Sequence, residues 1–74
     1  MEAVRPRFTR WLKEQSRRTD RVGDLARDVR HDPGWPPRRT LVGFRRYLEE
    51  QDACRAAVDT LAIAWAEWTS RAAL

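Results

Sequence analysis

Apolar side chains recur at intervals of three and four residues through every stretch of this chain between its loop-forming runs, and no stretch alternates with the two-residue period of a strand. Phe8, Trp11 and Leu12 share one helical face; so do Val22, Leu25, Ala26 and Val29, and again Leu41, Phe44, Tyr47 and Leu48. A fourth stripe, Cys54, Val58, Leu61, Trp65 and Trp68, follows the same spacing. Each stripe is one apolar face that must be buried against another, so the chain is expected to be all-α.

The punctuation between the stripes sets the helix boundaries. Helix 1 is expected from about Arg7 to Gln15, with Pro6 tolerated at its start because the first turn has no N–H partners to lose. Ser16, Arg17, Arg18 and Thr19 break the period and read as a basic loop. Asp20 is a good N-cap for helix 2, and Pro33 and Gly34 stop that helix. The run Asp32-Pro33-Gly34-Trp35-Pro36-Pro37 is neither helix nor central strand, since three prolines remove donors and restrict the residues before them. Thr40 caps helix 3, which extends to about Glu50, and Asp52 is expected to cap helix 4, the longest. Ala57, Ala62 and Ala64 permit neighbours to approach helix 4, which is expected to pack across the other three. The expectation is a compact four-helix domain over residues 1–74, with its core at about 7–68 and a tail at each end.

A core in 74 residues rarely supplies more than about 3 to 5 kcal/mol of net stability. One cysteine, Cys54, forms no internal disulfide, so packing by the four Trp, two Phe and one Tyr must serve instead. A lone cysteine suits a reducing compartment, Met1 to Arg10 lacks the apolar core of a signal peptide, and no stretch approaches the ~20 apolar residues of a membrane span. These features predict a soluble cytoplasmic protein without membrane contact.

Catalysis needs convergent groups with tuned ionisation, and few are offered. His31 is the single histidine, and Cys54 on its apolar stripe reads as a buried, inert thiol. Asp24, Asp28 and Asp32 lie at i, i+4 and i+8, but a straight helix spreads them over ~12 Å, which suits a solvated face neutralised by Arg27 or Arg30 better than a metal site. Trp35 fits a plug for the core better than an exposed stacking platform, and the spacing of Tyr47 and Trp68 fits core faces better than surface anchors. The chain is expected to be no enzyme and to hold no cofactor, metal or small-molecule substrate.

Charge is unevenly distributed. Residues 1–46 carry 13 Lys and Arg against 6 Asp and Glu, whereas residues 47–74 carry 2 against 5. Fourteen of the 15 cations are arginine, the side chain suited to bidentate phosphate contacts, although a GC-rich genome produces the same bias. Arg38 and Arg39 precede helix 3, with Arg45 and Arg46 on its flank and outer face, so these four and the free N–H groups at the helix start form a candidate phosphate track. Arg17, Arg18 and Arg21 extend it if the loop before helix 2 lies nearby. The leading expectation is a non-catalytic nucleic-acid-binding module with weak sequence preference. The alternative is a protein-interaction module, self-associating head to tail through Arg45 and Arg46 of one copy and Glu49, Glu50, Asp52 or Asp59 of the next.

The ordered set Phe8-x-x-Trp11-Leu12, Gly23-Asp24-Leu25-Ala26-x-Asp28-Val29, Asp32-x-x-Trp35-Pro36, Tyr47-Leu48-Glu49 and Ala64-Trp65-x-x-Trp68 resembles the YozE SAM-like family of short bacterial proteins. The resemblance covers roughly residues 8–68. It implies a fold like a sterile alpha motif, in proteins whose role is poorly defined and for which nucleic-acid binding has been suggested. It carries over no catalytic residue, because the matched positions are mainly caps and core side chains. Both arginine clusters lie outside the family pattern.

Overall fold

The structure, a computed structural model, describes residues 7–72. Four helices follow one another: α1 (Phe8–Glu14), α2 (Arg21–Arg30), α3 (Leu41–Glu50) and α4 (Arg55–Ala72), with no strand among the described residues. The fold is all-α, as the periodicity predicts. Pro6 lies outside the described residues, and Arg7 occupies the extended N-cap position of α1.

Two of the three expected caps form. The Asp20 carboxylate accepts the Gly23 N–H at 3.0 Å and the Thr40 hydroxyl accepts the Gly43 N–H at 3.2 Å, satisfying donors that the first turns of α2 and α3 leave unpaired. The third does not. Asp52 sits at φ 57°, in the left-handed region, and terminates α3 instead of opening α4. Its N–H bonds to the Glu49 carbonyl at 3.2 Å and the next N–H, that of Ala53, to the Leu48 carbonyl at 3.0 Å, the bond pair of a Schellman C-cap. Ala53 then packs against the core beside that last turn. An Asp between two helices reads equally well as the end of one or the start of the next, and here the end prevails.

Helix α4 therefore begins later than expected. Its first carbonyl acceptor is that of Cys54, which takes the N–H groups of Ala57 at 3.0 Å and Val58 at 3.3 Å. The Cys54 side chain is exposed rather than buried, which corrects its expected place on the core stripe. Below it, Leu61 and Ala64 are fully buried, while Val58, Trp65 and Trp68 are partly covered.

At 18 residues α4 is ~27 Å long, and it packs against each of the other three helices. Helix α1 also packs on α2, whereas the backbone of α3 comes close to that of α4 alone. The space between α1 and α3 is thus closed by side chains. Phe8 and Phe44 meet across it with ring centroids 5.4 Å apart, and Trp35 stacks on Phe44 at 4.9 Å with the rings nearly parallel. The Trp35 indole N–H donates to the Thr9 hydroxyl at 3.0 Å, pinning the proline-rich turn to α1. Trp35 is the buried plug that its setting predicts. Tyr47 and Trp68 likewise pack against the core, in agreement with their spacing.

Gly23 explains one element of the sequence pattern. A Cβ there would lie 2.0 Å from the Arg18 carbonyl oxygen, so the loop between α1 and α2 crosses the α2 backbone at a distance only glycine allows. Arg27 then binds the same loop from the next turn, donating to the carbonyls of Ser16 at 2.7 Å and Arg18 at 2.8 Å while also pairing with Asp24.

Candidate nucleic-acid interface

The backbones of α1 and α3 stand apart, bridged by the Phe8–Phe44 ring contact, and an open groove of about 750 Å³ is lined by both rings. Arg7 and Arg10 rim it from α1, and Arg38 and Arg39 from the approach to α3. Its wall is aromatic: Trp65 and Trp68 of α4, both half-buried, together with the buried Phe8 and Phe44. A second hollow of about 490 Å³ continues from it past Arg7, Arg10 and Arg38 and adds Lys13 and Arg30. Among the described residues, six cations line this continuous depression against one carboxylate, Glu14. Glu14 pairs with Arg10 at 3.8 Å in an exposed i, i+4 arrangement, which holds neither side chain strongly.

Of the seven arginines singled out from the sequence, Arg38 and Arg39 reach this groove. Arg46 lines a separate hollow of about 330 Å³ with Arg39, Tyr47 and Glu50. Arg39 thus stands between the two depressions, its guanidinium donating to the Arg38 carbonyl at 2.8 Å. Arg45 is exposed one residue earlier on α3, about 100° around the helix from Arg46, on the side of Val42 and Glu49.

Arg17, Arg18 and Arg21 stand elsewhere, at the turn between α1 and α2, and none of the three lines these depressions. Arg17 and Arg21 are exposed. Arg18 is a structural residue: its guanidinium donates to both Glu67 oxygens and to Asp20 Oδ2 at 2.6 Å, tying the turn to α4. These bonds hold the Arg18 proton more firmly than usual, Glu67 contributing most and Asp20 next. Reciprocally, Asp20 is held below the ordinary carboxylate range, first by Arg18 and then by the Gly23 N–H. A guanidinium engaged by two carboxylates offers little to a phosphate.

Sequence reasoning missed Arg7, Arg10, Lys13 and Arg30 as members of the basic surface. Three of them carried a readable signal, since Arg7, Arg10 and Lys13 repeat every third residue along one side of α1. Arg30 carried none, because only packing brings the end of α2 beside them. The aspartates of α2 form no metal-binding group among the described residues. Asp24 pairs with Arg27, and Asp32 lies beyond the helix, accepting from the Tyr47 hydroxyl at 2.7 Å and the Gly34 N–H at 2.9 Å.

Compared with known families, residues 8–70 match the model described as the YozE SAM-like fold. Comparison with curated proteins and with solved structures gives no match.

Proposed function

The chain belongs to the YozE SAM-like fold family, and on that scaffold we propose that it is a non-catalytic module that binds the phosphate backbone of nucleic acid. One observation carries the reading: four arginines from two separated segments, Arg7 and Arg10 with Arg38 and Arg39, surround one groove, with Lys13 and Arg30 continuing it. Like charges gathered around a concavity raise the local potential and draw in polyanions. Arginine adds forked donors that fit phosphate oxygens. Arg46 extends the contact through Arg39, Arg45 supports it from the flank, and Arg17 and Arg21 contribute only to the general positive field. Arg18 is excluded from it by its ion pairs. No helix among the described residues is long and apolar enough to cross a membrane, and a cytoplasmic site of action completes the proposal, since an exposed lone thiol persists best in a reducing compartment.

Fluorescence anisotropy with short labelled oligonucleotides at low salt tests this. With about four phosphates neutralised, log K should fall against log salt with a slope near −4. Replacing Arg38 and Arg39 by Glu should abolish binding. Absence of binding to any oligonucleotide at low salt would overturn the reading.

A second reading, head-to-tail self-association, sets the exposed Arg45 and Arg46 of one copy against the exposed Glu49, Glu50, Asp52 or Asp59 of the next, at the end of α3 and the start of α4. Light scattering at high protein concentration and low salt should then show growth beyond the monomer, reversed by added salt.

A further inference from the structure

We propose that the groove captures an unstacked base of single-stranded nucleic acid, the base lying against Trp65 and Trp68 and its flanking phosphates on Arg38, Arg39, Arg7 and Arg10. The proposal rests on the nucleic-acid reading and specifies the form of nucleic acid. A phosphate track needs only cations on a convex or flat surface. Here the cations instead rim a hollow of about 750 Å³ whose wall is aromatic, a size within the ~300–1,000 Å³ typical of small-molecule sites. Trp65 and Trp68 are half-buried and line the hollow, so part of each indole meets its space.

A duplex makes poor use of such a site. Its bases are paired and stacked, and its phosphates would rest on the arginine rim without reaching the recessed rings. A single strand turns a base outward, stacks it on an aromatic surface and leaves its phosphates for the rim, the combination by which single strands are held without sequence selectivity. The neighbouring hollow completes the geometry. It shares Arg7, Arg10 and Arg38 with the first, adds Lys13 and Arg30, and has no aromatic ring among the described residues that line it. One side of the depression is therefore built for a base and the other for the backbone leading from it. Glu14, at the junction, is the single opposing charge among the described residues and keeps the depression from being a uniform polyanion trap.

The test uses the full chain with labelled 15-nucleotide dT and rU strands and a mixed-sequence 15-base-pair duplex, followed by anisotropy and by intrinsic tryptophan fluorescence. Either single strand should bind at least ~10-fold more tightly than the duplex and quench the tryptophan signal, as loss or gain of one base–aromatic stack implies. Trp68→Leu keeps the apolar volume while removing the ring; with its helical content verified by circular dichroism, it should lose roughly 10-fold in single-strand affinity and leave duplex binding unchanged. Arg38→Glu should weaken both. Equal binding of strand and duplex, or a folded Trp68→Leu protein with undiminished single-strand affinity, overturns the base-capture proposal and leaves phosphate binding standing. Failure of all three probes at low salt overturns both.

Discussion

The Tyr47 hydroxyl donates to Asp32 Oδ2 at 2.7 Å, and through that bond α3 is latched to the proline-rich turn that carries Trp35. The other carboxylate oxygen takes the Gly34 N–H at 2.9 Å, so one side chain shapes the turn and docks it. The Tyr47 ring meets Trp35 edge-on at 5.5 Å. The phenol is held above its ordinary range, first by its bond to the carboxylate and then by partial desolvation.

The sign of the resulting pH dependence follows directly. Between the unfolded and folded ionisation ranges the native state keeps a proton that the unfolded chain releases, so stability falls as pH rises. The contribution is fully present below about pH 10, the ordinary tyrosine value, and is lost as pH climbs through the raised native one. Thermal melts from pH 9 upward should show this decline, and Tyr47→Phe should flatten it. The chain has a single tyrosine, so tyrosinate absorbance reports the group without overlap from another. A midpoint at or below that of free tyrosine would contradict the latch.

Gly23→Ala should be among the most damaging single-methyl changes available. The new Cβ would sit 2.0 Å from a backbone oxygen, which cannot swing aside as a side chain can. A loss of about 3 kcal/mol, at the upper end for overpacking, is expected against the gain of up to ~1 kcal/mol from better helix propensity. Denaturant titration reads the difference. A neutral result would mean that the α1–α2 loop does not cross there.

Asp52→Gly should act in the opposite direction. Releasing a side chain from the left-handed conformation stabilises by roughly 1 kcal/mol, or several degrees in the melting temperature of so small a domain. If Asp52 were instead the N-cap of α4, the same change would be slightly harmful. The melting curve distinguishes the two roles.

The ion pairs of Arg18 separate folding from binding. Arg18→Ala and Glu67→Ala should each destabilise by about 1 kcal/mol, the upper range for a solvent-accessible pair, with the effects coupled in a double-mutant cycle. Folded Arg18→Ala should bind oligonucleotides as well as the parent does, whereas Arg38→Glu should not. A loss of affinity in Arg18→Ala equal to that in Arg38→Glu would place the interface at the α1–α2 turn instead. Asp20, partner to the same guanidinium, carries stability present above the ordinary carboxylate range and lost as pH falls through its lowered native value, so acid unfolding should begin earlier in Arg18→Ala.

The local sequence determined the helices, because a helix face is a matter of spacing: Phe8 with Leu12, Leu25 with Val29 and Phe44 with Leu48 are buried as their intervals require. It determined the caps at Asp20 and Thr40, where a side-chain oxygen need only reach a backbone N–H three residues on. It also determined that Trp35 must be covered. Local sequence was ambiguous at Asp52, because C-cap and N-cap differ in the sign of φ, which is set by how α3 and α4 must turn to pack. Cys54 followed from the same turn: with α4 opening two residues later, at Arg55, the thiol left the stripe for the surface. The site was still less legible. Arg18 and Arg38 are the same residue type in similar basic runs, and only the arrival of Glu67 from 49 residues away commits the first to structure. The groove has no local signature, since it is the space left where the backbones of α1 and α3 stand apart. Spacing along one helix fixes which face a side chain takes, but which charges and rings meet across a gap is decided by the packing of helices that are distant in sequence.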